Sequence, residues 1–301
     1  MAPEPCMNRD AAGGAYTGAQ AAPMWERWLM PAAQWLLYAM LIVAFVGPFW
    51  AFLMTALSGS TVAGGRLLWW PEQPTWENFR VAWVDVKVWR YLLNSAVVVA
   101  VGTLLQLAVS TLAAYALARK KFRGLALVSF LVLCTMMLPE EVIAIPLFMV
   151  LGNLPLLNIS LHNSHWGMIL PVVGWAFSIF MLTEFMRAIP AELEEAARVD
   201  GASDWQVFWL VILPLCKPAL GTAAVFGFIM IWDQYLLPLL VTNREALYTL
   251  PVALATVRAD ETMKPAVFLA ISVIAMLPSI LVYLLLQRAF NRGLLAGAVK
   301  G

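Results

Sequence analysis

Apolar positions along this chain fall into long unbroken runs, without the strict alternation of a half-buried strand or the narrow stripe of a water-facing helix. Ala32 to Leu57 is almost purely apolar. At about 1.5 Å per residue its roughly 26 residues reach about 39 Å, enough to cross a hydrocarbon core of about 30 Å with some tilt. Further runs cover Tyr91 to Leu117, Leu125 to about Leu151, Gly167 to Phe185, Pro218 to Leu240 and Pro265 to Leu286, which predicts six membrane spans. The third is interrupted by Pro139-Glu140-Glu141, and Leu125 to Leu138 is too short to cross alone. Either that helix continues through the Pro-Glu-Glu step, or it stops and a separate interfacial helix follows. The first thirty residues carry Pro3, Pro5, Gly13, Gly14 and Pro23 with several charges and no apolar signal core, so residues 1–31 read as a flexible cytoplasmic tail. No small-residue cleavage site closes the first run, which is expected to stay as a membrane helix.

Composition agrees with a bilayer as the solvent. Apolar residues make up 62% and charged residues 12% of the 301 positions, where a soluble chain carries roughly 25% charged. The same imbalance excludes disorder, and a net charge of +1 argues against a nucleic-acid partner. Cys6, Cys134 and Cys216 stand singly in unlike contexts, with neither a disulfide framework nor zinc spacing.

Charge placement gives an orientation. With both termini in the cytoplasm, Arg9, Arg27, Arg119, Lys120, Lys121, Arg123, Arg187, Arg198, Lys217, Arg288, Arg292 and Lys300 lie inside, and Arg66, Arg80, Lys87, Arg90, Arg244, Arg258 and Lys264 lie outside. The cluster from Arg119 to Arg123 decides the sign. Trp69, Trp70, Trp76, Trp83 and Trp89 crowd the first outer loop as interfacial anchors, with sugar stacking as the alternative.

Residues 187–217 form the most informative segment. Pro190 suits a first helical turn, Glu192, Glu194 and Glu195 suit its positive end, and Gly201 suits the left-handed position that closes it. Ser203 with Gln206 makes a capping box for a second helix, which Pro214 and Pro218 end or kink. Two short helices about a glycine form a rigid knob on the cytoplasmic side. Ala196 and Ala197 allow close approach of a partner, and Leu193 and Val199 supply an apolar grip.

Glu195-Ala196-Ala197, three residues, Gly201, nine residues, then Val211-x-Leu213-Pro214 resembles the EAA signature of the membrane subunits of ATP-binding-cassette importers, with Val211 in place of Ile. Ala113 to Arg119 before Phe122-Arg-Gly124, Met137 to Val142, Tyr248 to Val252 and Gln287 to Gly301 are similar to MalG-like carbohydrate permeases, so the likeness runs from about Tyr91 to the end. The resemblance implies an all-α membrane protein with about six transmembrane helices and a cytoplasmic coupling helix, the type I importer permease fold, over residues 32–301. It implies that Glu195, Ala196, Ala197, Asp200, Gly201, Leu213 and Pro214 couple the chain to a cytoplasmic ATPase, with the tail 288–301 nearby. It implies a second permease subunit, an ATPase dimer and an extracytoplasmic solute-binding protein as partners, in a bacterial or archaeal plasma membrane whose lipid surrounds the chain. No G-x4-G-K-[ST] loop occurs. ATP and Mg are therefore expected on the partner ATPase, with no cofactor, no metal and no enzyme activity in this chain.

Ionisable groups inside spans cost about 2.5 to 3.5 kcal/mol each on insertion scales. Asn94, Glu140, Glu141, Asp233 and Gln234 either line a water-accessible translocation pathway or cap helices freed at Pro139 and Pro238. Related permeases usually carry Asn at the place of Asp233. Glu184 is expected to reach toward Arg187, and His162 and His165 are read as solvated interfacial histidines ahead of a metal pair. The expected cargo is a sugar or oligosaccharide, with glycerol 3-phosphate or a glycerophosphodiester as the alternative. A proton-coupled carrier using Glu140, Glu141 or Asp233, and an intramembrane enzyme using the two histidines, are the rivals from other classes.

Overall fold

The computed structural model describes the backbone of residues 24–59, 66–155 and 157–298, with side chains for 31–59, 66–155, 157–285 and 287. The expected tail before Met24 and the side chains of the expected C-terminal tail lie outside the described residues. The chain divides into two units, residues 1–50 and 51–301.

Helix α1 covers Met24–Ala56 and contains Pro31 and Pro48. It begins at Met24 where the apolar run alone predicts Ala32. From Ala32 to Trp50 it is almost wholly apolar and presents Trp35, Leu36, Phe45 and Phe49 on its surface, the pattern of a helix solvated by lipid. In the second unit, Asn78 satisfies the end of α1 by donating to the carbonyls of Ala56 and Ser58 at 2.8 Å each. Asn78 sits in α2, Glu77–Arg80, which widens into a π turn over Val81–Asp85.

The rest of the unit is built on α3, Val88–Arg119, about 48 Å long. Helices α4 (Leu125–Met136) and α5 (Glu140–Gly152) meet at 108°. Of the two expectations for the third span, the separate second helix is the one that forms, because Pro139 and the residue before it resist α geometry. Helices α6 (His165–Val173) and α7 (Ala176–Arg187) follow with a break at Gly174-Trp175. After α8 (Glu192–Val199), a rod runs from α9 (Asp204–Gln206) through a π turn (Val207–Ile212) to α10 (Leu213–Leu215). The wide turn leaves Leu213 donating five residues back to Phe208, just before Pro214, which has no N–H to give. The chain then bends by 73° into α11 (Lys217–Trp232). Helices α12 (Leu236–Val241), α13 (Leu250–Ala259) and α14 (Pro265–Ala298) complete it. Among the described residues, four helices are long and apolar enough to span a bilayer, or up to six spans if each bent pair counts as one. The short α13 was not expected from the apolar runs.

Two packed clusters lie at opposite ends of α3. One joins Tyr91, Val98 and Val99 to Met168, Ile231, Leu250 and Ile271; the other joins Ala114 and Tyr115 to Leu182, Met186, Phe208, Ile212 and Cys216. Between them Gln106 is fully buried and donates to Ser178 Oγ at 2.9 Å. Its amide reaches Gly227, where an added Cβ would sit 2.4 Å from Gln106 Oε1. Small residues at such crossings let membrane helices approach closely. A third cluster packs Leu151 and Leu161 on Leu237 and Val241, so α5 lies against α12.

Gly167 offers a direct check of this packing. A Cβ there would lie 2.5 Å from the Leu161 carbonyl oxygen and 2.6 Å from Val241 Cγ1, whereas Gly174 has open space. Gly167→Ala is expected to cost about 1 to 3 kcal/mol and to lower the melting temperature of the detergent-solubilised protein, while Gly174→Ala leaves it unchanged.

Candidate functional site

The knob is closed by backbone geometry. Gly201 has φ +88°, Gly201 N donates to the Arg198 carbonyl at 3.0 Å, and Ala202 N donates to the Ala197 carbonyl at 2.9 Å. These two bonds are the Schellman ending of α8, which requires a left-handed residue and therefore favours glycine. The next helix opens with the expected capping box: Ser203 Oγ accepts from Gln206 N at 3.3 Å, and Gln206 Oε1 accepts from Ser203 N at 2.8 Å. Pro190 lies before α8, not in its first turn; Ala191 is the N-cap. The helix is thus shorter than the Pro190 to Gly201 span expected.

Glu194, between two exposed glutamates, turns inward. Its Oε1 lies 2.8 Å from Arg119 Nε, with side chains only 6% and 10% exposed. The approach is off-line for a hydrogen bond, so the contact is an ion pair. Arg119 also donates to the Ile189 carbonyl at 2.6 Å. Arg198 bridges Glu194 at 3.5 Å and Asp204 at 3.2 Å, and Lys120 closes the set on Asp204 at 2.5 Å. The Lys120 ammonium, helped by Arg198, holds the Asp204 carboxyl below the usual carboxylate range. The knob is therefore stapled to the end of α3. With Glu194 turned in, Glu195, Ala196, Val199 and Asp200 are exposed, Val199 at 87%, with Ala197 half-buried. Leu213 is half-buried and Pro214 exposed on the neighbouring rod. Neither Arg119 nor Glu194 was singled out as a pair from the sequence. The signal was a glutamate three residues beyond Ala191 on the face that Ala197 and Gly201 share, together with an arginine ending an apolar span.

A second site forms where three helices break. The α4/α5 corner, the Gly174-Trp175 break and the Asp233 to Tyr235 break after α11 surround a cavity of about 430 Å3. Glu140 and Gln234 line it and are joined, Gln234 Nε2 donating to Glu140 Oε1 at 2.9 Å. Thus one member of each expected pathway pair meets the other across α5 and α11. Glu141 and Asp233 are exposed near the same breaks and do not line the cavity. Asp233 stands at the C-cap position of α11, where its backbone N–H donates to the Ile229 carbonyl.

Asn94 lies elsewhere. Its Nδ2 donates to the Ala246 and Tyr248 carbonyls at 2.9 and 3.0 Å, and its Oδ1 sits 3.2 Å from His165 Nε2. Its amide nitrogen thus holds the segment between α12 and α13 and its amide oxygen meets α6, beside Ser95, which accepts from Leu250 N at 2.8 Å. The expectation of solvated histidines also needs correction. His162 is half-buried, stacks on Phe148 at 4.3 Å and reaches the Phe148 carbonyl at 2.9 Å, while His165 turns to Asn94. The two rings serve different neighbours, so the pair offers no shared metal position. Glu184 pairs with Arg187 at 2.7 Å as expected.

Residues 106–295 match the family of binding-protein-dependent transport system inner membrane components. The chain is 34% identical over 223 residues to the diacetylchitobiose uptake system permease protein NgcG of Streptomyces coelicolor, covering 72% of each chain. It is 30% identical over 283 residues to the arabinooligosaccharides transport system permease protein AraQ of Halalkalibacterium halodurans, covering 92% of this chain and 100% of that one. Its fold superposes with a TM-score of 0.77, at 25% identity, on a chain of a bacterial ABC transporter involved in the import of the acidic polysaccharide alginate, covering 89% and 98%. Family and fold together set aside the proton-coupled and enzymatic rivals: the chain belongs to the inner-membrane permease components of binding-protein-dependent ABC importers.

Proposed function

We propose that this chain is one of two permease subunits in an importer that takes a sugar or oligosaccharide from an extracytoplasmic binding protein, with ATP and Mg held by a pair of cytoplasmic ATPase subunits. Both termini and α8 face the cytoplasm, where the basic cluster from Arg119 to Arg123 also lies. The sugar assignment is supported by the carbohydrate relatives, NgcG and AraQ among them. The observation that carries the coupling role is the stapled knob: α8 presents Glu195, Ala196, Val199 and Asp200 outward while Glu194 fastens it inward to Arg119. Such a helix seats in an ATPase cleft by its small residues and transmits a push because it cannot swivel. Moving a two-state transporter from mostly inward to mostly outward takes about 5.5 kcal/mol, which a floppy loop would dissipate.

Gly201→Asp combined with Glu195→Lys should abolish ATP-driven uptake and ATPase assembly; survival of both would sink the coupling role. Glu194→Leu leaves Arg119 buried and unpaired at a cost of about 3 to 5 kcal/mol, and should lower the yield of folded complex. Arg119→Met with Glu194→Leu should restore the yield while ATP hydrolysis in proteoliposomes proceeds without solute uptake; restored uptake would show that the pair only stabilises. Thermal-shift screening of the cognate binding protein should give a shift with uncharged oligosaccharides such as diacetylchitobiose. A shift with glycerophosphodiesters alone would overturn the sugar assignment.

A further inference from the structure

The cavity at the three helix breaks has a definite chemical sign. In a bilayer, broken helices are tolerated only where protein or a water-filled cavity covers the freed backbone, and the carboxyls of Glu140, Glu141 and Asp233 cannot face lipid cheaply. The cavity of about 430 Å3 falls within the range of about 300 to 1,000 Å3 that small-molecule sites occupy. Its walls carry the half-buried rings of Trp175 and Phe177, 5.1 Å apart and tilted by 42°. Opposite chemistry comes from Glu140 and Gln234, already hydrogen-bonded to each other. Rings with an apolar face suit the C–H face of a sugar, and an amide beside a carboxylate suits its hydroxyls.

No lysine or arginine occurs from Leu125 to Met186 or from Pro218 to Asn243, the stretches that supply every lining residue. The N-terminus of α5 carries its own Glu140 and Glu141 in the first turn, and that of α7 has no side-chain cap. Each break brings one helix N-terminus and one C-terminus to the cavity with about half a charge of opposite sign apiece, so the helix ends cancel and Glu140, the one ionisable side chain among the described lining residues, sets its sign. The lining is therefore net acidic.

Resting on the pathway reading above, we propose that this cavity is a solute-contact site of this subunit that takes an uncharged or cationic sugar unit between Trp175, Phe177 and the Glu140–Gln234 pair, and rejects anionic solutes. It separates this chain by chemistry from the importer of an acidic polysaccharide whose fold it shares.

The test uses the complete importer in proteoliposomes, with Cys6, Cys134 and Cys216 of this chain replaced by serine and Thr135→Cys as a conservative reporter in the cavity wall. The thiol is modified by a trimethylammonium-ethyl or a sulfonato-ethyl methanethiosulfonate, with each rate normalised to that reagent's reaction with 2-mercaptoethanol. Rates are taken with and without trapped nucleotide. The cationic reagent should react about fivefold faster or more, the preference should vanish in Glu140→Gln, and it should invert in Glu140→Lys. Equal rates, or a faster anion, would overturn the charge selection while leaving the pathway standing. A preference unchanged by Glu140→Gln would overturn the role of Glu140. No reaction with either reagent in either state, with full reaction after detergent unfolding, would remove the cavity from the aqueous pathway altogether.

Discussion

Everything that α8 can do depends on the contact between Arg119 and Glu194. Taken alone, a buried ion pair is weak evidence for stability, because desolvating two charges costs as much as their attraction returns. Its value here is positional. Arg119 ends a helix of 32 residues and also holds the Ile189 carbonyl, so one guanidinium fixes both the entry to α8 and its first turn. Arg198, Asp204 and Lys120 then tie the exit of α8 to the same end of α3. An eight-residue helix is far below the length that is stable alone in water. It keeps its shape because its start is pinned by charge and its end by the left-handed Gly201.

The second constraint is the bilayer's intolerance of loose backbone. Three breaks in one unit would each cost several unmet hydrogen bonds if they faced lipid. They converge instead on one cavity, where Gln234 and Glu140 hold the α11 end against the α5 start. The same rule explains why Asn94 is consumed by the carbonyls of Ala246 and Tyr248: a polar side chain at the start of a span goes first to backbone that would otherwise lack a donor.

Much of this was legible in the residues. The apolar runs located the long helices, and Gly201, Ser203 and Gln206 announced the caps of the two short knob helices because capping is local chemistry, decided within a few residues. The break at Pro139 was visible as well, though not its 108° angle, which depends on α5 finding Leu237 and Val241 to pack on. What could not be read were contacts between distant positions. Glu194 and Glu195 look alike in sequence; only Arg119, brought up by α3, distinguishes the anchoring glutamate from the exposed one. His162 looked solvent-facing until Phe148 and Gly152 closed around it. Helix α13 is short, and Leu250 is recruited by Ser95, a partner no local pattern reveals.

The two sites are joined by stiff elements. Helix α11 starts beside Cys216 in the cluster next to the knob and ends beside Gln234 at the cavity, a run of about 24 Å. Helix α7 makes the same journey in reverse, from Ala176 and Phe177 at the cavity to Met186 in the knob cluster. Both cross α3 at the buried seam, where Gln106 meets Ser178 of α7 and Gly227 of α11. Phe208 and Met186 pack together in the cluster beside the knob, which sets α8 against both rods. Close-packed interiors transmit strain instead of absorbing it, so under the proposed coupling a push on α8 would reach both rods and, through their shared seam, the cavity at their far ends. The polar seam suits a pivot: it fixes which residues of the three helices stay opposed, while Gly227 keeps side-chain bulk out of the crossing.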